Sequence, residues 1–231
     1  MINDYLEPTM IILAGPPGAG KTTLAEGITK EIPSSFLLEK DVLNDSLSEV
    51  RPTTNGDLIT EEEYLESQYT VMERDMMGDV IRLPKRSEFF GRHVRDQTYR
   101  AIVDLAFRNL EVGKSPILES LLTRQFTVDG LVEGMFEAFE DYRTIMIFTY
   151  IPEEASRKRL EERSARDEYA RMRDKEKLGS EEGWRNYVAQ HPIIPQNLDQ
   201  FPHYKVDMRQ PPEECVEEAV RQIYSKEVLT V

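Results

Sequence analysis

Apolar positions along this chain fall alternately in short unbroken runs and at helical spacing. Met10 to Ala14 is a continuous apolar run, the pattern of a short strand covered on both faces. From Lys21 to Ile32, Leu24, Ala25, Ile28 and Ile32 recur at helical spacing, and Pro33 with two serines stops that helix. Phe36 to Glu39 (FLLE), Ser115 to Glu119 (SPILE), Thr144 to Ile151 (TIMIFTYI) and Tyr204 to Met208 (YKVDM) read as four further strands. Amphipathic helices separate them. Asp96 to Val112 turns Tyr99, Ile102, Val103, Ala106 and Leu110 inward and is closed by Gly113. Leu131, Val132, Met135, Phe136 and Phe139 mark a second, and Pro152 opens a third at a favourable first position. Pro211, Pro212 and Glu213 start a last helix with Val216, Ala219, Val220 and Ile223 inward. The alternation predicts an α/β fold.

Two stretches fit that rhythm less well. Residues 42–98 are longer than a crossover needs, which is a dozen residues or somewhat more. There, Arg51 to Asp57 (RPTTNGD) reads as a loop, and Thr60 with Glu63 forms a capping box. Tyr64, Leu65, Val71, Met72 and Met76 then make a helical stripe, so 42–98 is expected to be a helical insertion. The second stretch, Gly183 to Pro202, reads as a helix and then an irregular loop. The whole chain, 1–231, is expected to form a single domain carrying that insertion.

Composition narrows the function. Asp and Glu number 43 against 29 Lys and Arg, a net charge of −14. That argues against general nucleic-acid or anionic-membrane binding, and leaves a local basic patch as the one route to nucleic acid. The single Cys215 excludes an internal disulfide framework; beside Val216, Ala219 and Val220 it reads as a core residue rather than a catalytic thiol. Met1 to Pro8 has no apolar core of a signal peptide, and no segment approaches the ~20 apolar residues of a membrane span. A cytoplasmic protein is expected.

The chemistry begins after the first strand. Gly15, Gly20, Lys21 and Thr22 occupy the fixed places of G-x-x-x-x-G-K-[ST], the phosphate-binding P-loop. The stretch Gly15, Pro16, Pro17, Gly18, Ala19, Gly20, Lys21, Thr22 and Thr23 is therefore the expected nucleotide site. Glycines let successive N–H groups converge on phosphate oxygens, and the following helix adds the positive end of its dipole. Lys21 supplies a mobile charge, and the Thr22 hydroxyl suits a magnesium ion bridging two phosphates.

Other candidates lie at strand ends, where ligands bind in open α/β sheets. Asp41 follows the second strand as a general base or magnesium ligand, or else as the N-cap of the helix beginning at Val42. Glu119, after the third, can hold magnesium's water shell or position an acceptor, or else caps locally; Arg124 follows it. Arg82, Lys85, Arg86, Arg92, His93, Arg95 and Arg100 form a basic cluster, read as recognition of an anionic acceptor or as a solvated surface. Arg157, Arg159, Arg163, Arg166, Arg171 and Arg173 follow the fourth strand, where a lid would close over a transferring phosphoryl group. Interleaved acids leave i,i+4 pairing as the alternative.

No strand ends in an Asp-Glu pair, as motor ATPases require, and no Asn-Lys-x-Asp is present to read guanine. Asp75-Met-Met-Gly78 has a switch-like form but lies in the helical stripe, not after a strand. The chain resembles the P-loop kinases grouped as zeta-toxin-like or AAA-type ATP-binding kinases, which include the polynucleotide 5′-kinase domain and chloramphenicol phosphotransferase. GPPGAGKTT, EKD at 39–41, residues 98–120, RKRLEER at 157–163 and residues 204–223 carry the resemblance.

It implies a three-layer P-loop NTPase sandwich whose parallel sheet has strand order 2-3-1-4-5, with an arginine-rich lid. It also implies ATP and Mg2+ as cofactors, with Thr22, Asp41 and Glu119 about the metal and Lys21 on the β- and γ-phosphates. Asp41 would then be the base and Arg124 would hold acceptor or phosphate. Arg159 would lie by the adenine and Arg163 by the γ-phosphate. Aspartate is frequent in such kinases where this chain has Glu119. The expected activity is ATP-dependent phosphorylation of a hydroxyl on a small metabolite or nucleotide, an anionic one if the basic cluster binds it. The alternatives are a 5′-end nucleic-acid kinase, or a toxin-like or regulatory ATP-binding protein that acts through a partner.

Overall fold

The computed structural model describes residues 6–50, 72–75, 78–82, 94–128 and 130–225. Two compact units are formed, one from residues 1–38 with 106–231 and the other from 39–105.

The larger unit is built on a five-stranded parallel sheet. Its strands are β1 (Thr9–Ala14), β2 (Ser35–Glu39), β6 (Ser115–Glu119), β7 (Arg143–Tyr150) and β8 (His203–Asp207), in the order β2-β6-β1-β7-β8. Counting only these strands, that is 2-3-1-4-5, as expected. β1 is central and buried along its whole length, which is why its sequence is a run rather than an alternation. It pairs Leu13 with Glu119 on one side and with Ile147 on the other.

Helices α1 (Lys21–Glu31) and α9 (Pro212–Tyr224) belong to this unit. Ile11 and Leu13 of β1 and Ile145 and Ile147 of β7 join Leu24, Ile28, Ala219 and Ile223 of those helices in one core. The i, i+2 spacing of the strand residues and the i, i+4 spacing of the helical ones make this interface. A Cβ at Gly27 would lie 2.3 Å from Val216 Cγ2, so glycine lets α1 and α9 approach closely. Cys215 is buried in the same core, and burial pushes its thiol up, which keeps it protonated.

Helices α4 (Gln125–Val128) and α5 (Leu131–Ala138) lie between β6 and β7; after β7 the arginine-rich segment and the residues beyond it fold as α6 (Glu153–Arg166), α7 (Glu168–Leu178) and α8 (Glu181–Gln190). Asp167, with φ −123° and ψ 118°, interrupts what the sequence presents as one cationic stretch. Charged and aromatic contacts hold these helices together. Trp184 Nε1 donates to Glu153 at 2.8 Å, and Arg157 pairs with Glu161 and with Glu181. Asp174, fully buried, accepts from Arg163 at 2.7 Å and lies 2.8 Å from Lys177.

The smaller unit departs from a helical insertion. It contains α2 (Lys40–Ser48) and most of α3 (Asp96–Glu111), but between them an antiparallel sheet of order β3-β5-β4. Its strands are β3 (Glu49–Val50), β4 (Met72–Asp75) and β5 (Gly78–Arg82). Met72, placed by spacing in a helix, instead pairs across to Ile81, and Glu73 to Val80. Backbone pairing into an antiparallel ladder outweighs a weak helical spacing here. Asp75 pairs with Gly78, so D-x-x-G spans one end of an antiparallel pair rather than following a parallel strand. The predicted loop at 51–57, capping box at Thr60 and Glu63, and stripe residues Tyr64, Leu65, Val71 and Met76 lie outside the described residues. So do Lys85, Arg86, Arg92 and His93 of the basic cluster. Among the described residues, no helix is long and apolar enough to cross a membrane.

Candidate functional site

The loop between β1 and α1 is shaped by three glycines in the left-handed range. Gly15, Gly18 and Gly20 have φ of 149°, 70° and 92°. At Gly15 the constraint is also steric, because an added Cβ would lie 2.0 Å from Thr149 Oγ1 and 2.5 Å from Thr149 O. Gly15→Ala is therefore expected to lower the melting temperature and remove nucleotide binding together, which differential scanning fluorimetry with and without ATP would measure. Gly20 caps α1 with φ 92° and ψ 24° and offers no side-chain oxygen, and the first turn of α1 has no acid. By contrast, α6, α8 and α9 each carry two glutamates in their first turn. The N–H groups that open α1 thus keep their positive field for an anion.

Lys21 begins α1, is 8% exposed, and donates from Nζ to Pro16 O at 3.0 Å. Its Nζ is also 4.0 Å from Glu119 Oε1, at the carboxyl end of the neighbouring strand. Strand pairing fixes that approach. Leu13 is in register with Glu119, Ser120 N donates to Leu13 O, and Gly15 N donates to Leu121 O at 3.4 Å. Thr22 and Thr23 are exposed at the start of α1. Arg124 lies partly exposed beyond Glu119, in a turn where Leu122 takes φ 48°.

The outer side of the loop is held by residues that the sequence left unremarked. Thr149 Oγ1 donates to Ala14 O at 3.1 Å, and Ser156 Oγ donates to Pro17 O at 2.7 Å. Leu160 packs under Gly18, whose added Cβ would be 3.3 Å from Leu160 Cγ. Arg159 donates to Ala19 O at 3.2 Å and to Met208 O at 2.8 Å. Met208 follows β8, where Arg209 chelates Asp207 and its hydrogen bonds hold that carboxyl below the usual carboxylate range. No signal in the sequence set Ser156 apart. Ser156 and Leu160 are the only fully buried positions of a helix otherwise crowded with charge, and they stand four apart.

Lys21, Glu119 and the loop Gly15–Gly20, with Thr22, are thus one locus, and Arg159 touches its backbone. Arg163 faces elsewhere, paired with Asp174. Asp41 is exposed in the first turn of α2, which begins at Lys40. It is therefore inside the helix rather than its N-cap. Lys40 Nζ lies 5.1 Å from the centroid of the Tyr99 ring in the same unit. A separate depression lined by Gln210, Glu214, Glu217, Glu218 and Arg221 is acidic and would repel a polyphosphate.

Known structures share this fold. Two solved structures are similar along nearly the whole chain. A gluconokinase from Sinorhizobium meliloti 1021 has 15% identity and a TM-score of 0.52, covering 94% of this chain and 91% of that one. The Mycobacterium tuberculosis APS kinase, in complex with AMPPNP and APS, has 13% identity and a TM-score of 0.53, covering 95% and 99%. At such identities these likenesses show the fold. No curated protein matches the sequence. Residues 10–182 match the family model AAA_33, described as an AAA domain, so the chain belongs to that family of P-loop kinase domains.

Proposed function

We propose that the protein is an ATP-dependent phosphotransferase that moves the γ-phosphoryl group to a hydroxyl of a small metabolite or nucleotide, charged or neutral. The observation that carries this reading is the P-loop locus. An uncapped helix start and a buried lysine face one cradle, with a carboxylate 4.0 Å from that lysine. Likeness to a gluconokinase and to an APS kinase with bound AMPPNP supports the donor and the small-molecule class of acceptor.

In this reading Lys21 exchanges Pro16 O for phosphate oxygens, and Glu119 limits where it can reach. The donor set fits magnesium, a hard cation that keeps several waters and takes few protein oxygens. Thr22 and Glu119 would hold it, and it would neutralise charge on the β- and γ-phosphates. Among the described residues no group of three His, Cys, Asp or Glu side chains forms a protein-only cage. Asp41 accepts the proton of the acceptor hydroxyl as that oxygen attacks the γ-phosphorus. Arg124 and Arg163 offset charge on the transferring group, and Arg163 must release Asp174 to do so.

The test is ADP formation with magnesium and ATP across a panel of sugar acids, nucleosides and phosphorylated alcohols. Acceptor-dependent ADP release supports the proposal. Tight ATP binding with no acceptor turnover, together with a co-purifying protein, would favour a regulator instead.

A further inference from the structure

We infer that Ser156 and Arg159 are positioning residues for the P-loop, which aim its N–H groups at phosphate by holding its carbonyls from behind. The inference rests on the nucleotide reading of the P-loop given above. Within one peptide unit, the C=O of a residue and the N–H of the next point in opposite directions. A donor fixed behind a carbonyl therefore fixes where the following N–H points.

Ser156 Oγ, 2.7 Å from Pro17 O, orients the N–H of Gly18 in this way. Arg159 Nη1, 3.2 Å from Ala19 O, does the same for the N–H of Gly20. The need is greatest here because Gly18 and Gly20 are the residues whose backbone is least restrained by a side chain. Both donors also draw electron density from the peptide, which sharpens the N–H dipole that an anion meets. The support is itself held by packing and hydrogen bonds. Ser156 is fully buried, Leu160 packs beneath Gly18, and Arg159 is tied by its other nitrogen to Met208 O at 2.8 Å. The first two turns of α6 thus stand as a backstop to the loop.

The role of Arg159 differs from contact with the nucleoside, and the two make opposite predictions. Calorimetry with magnesium tripolyphosphate and with magnesium ATP separates them, on wild type, Ser156→Ala, Arg159→Met and Arg159→Lys. Both Ser156→Ala and Arg159→Met are expected to weaken the two ligands by the same factor, about 5–20-fold, as befits loss of hydrogen bonds to the ligand-binding backbone. Arg159→Lys, which keeps a donor, should recover part of that loss. If Arg159→Met weakens ATP but leaves tripolyphosphate unchanged, Arg159 acts on the nucleoside and its positioning role is overturned. Should Ser156→Ala lower the melting temperature with both affinities intact, Ser156 only packs α6 and the inference fails. Arg159→Met remains decisive if Ser156→Ala does not fold. A wild-type protein that binds neither ligand overturns the nucleotide reading first, and this inference with it.

Discussion

Lys21→Ala is expected to lower ATP turnover by about 10²–10³-fold, the scale on which a group aimed at transition-state charge acts. Two physical terms combine. The variant loses the cation that meets the phosphates, and it also removes the charge 4.0 Å from Glu119, a carboxylate that is 8% exposed. Glu119 then presents less compensated negative charge to an anionic ligand. This gives a sharper test than the single variant. Adding Glu119→Gln to Lys21→Ala should recover part of the ATP affinity, measured by calorimetry, because repulsion is relieved while the lysine stays absent. If the double variant binds ATP no better than Lys21→Ala, Glu119 does not act on the ligand through this pair.

The second large effect is expected at Asp41. Asp41→Asn should reduce acceptor phosphorylation by about 10²–10⁴-fold, the usual worth of a general base. ATP affinity should stay within about twofold, since an amide of the same shape adds no clash and leaves the P-loop untouched. Asp41 is exposed in the first turn of α2, where a carboxylate contributes about 0.3–1 kcal/mol through the helix dipole. Steady-state kinetics with saturating ATP, paired with equilibrium ATP binding, separates the outcomes. A parallel loss of magnesium-dependent ATP binding would make Asp41 a metal ligand, and full turnover would remove it from the chemistry.

Much of the larger unit was legible because its physics is local. An apolar run must be a buried strand, and three glycines around a lysine must wrap an anion, wherever the rest of the chain goes. The sheet order came from resemblance, and β1 lies between β6 and β7 as that resemblance implies. Arginine was harder to read. Arg157, Arg159 and Arg163 stand on one helix, yet one stacks by Trp184 and pairs with glutamates, one holds P-loop carbonyls, and one neutralises a buried aspartate. Nothing in the letter distinguishes these, because each partner is set by tertiary packing. The same holds for Met72-Glu73-Arg74-Asp75, which has neither strand alternation nor strong β-formers and becomes a strand through its pairing to β5. Ser156 was invisible for the opposite reason. A serine amid charges reads as surface, and only the fold buries it against Pro17.

The join between α6 and α8 has a spectroscopic consequence. Trp184 is the chain's one tryptophan, 3% exposed, and it is fastened to Glu153 and lies by Tyr187 and Arg157. Its emission therefore belongs wholly to the seam between these two helices, with a blue-shifted maximum while the indole is dry. Glu153 stands one turn before Ser156, so a nucleotide that shifts α6 against α8 would be recorded by native fluorescence. The protein carries its own optical gauge of the wall behind its P-loop.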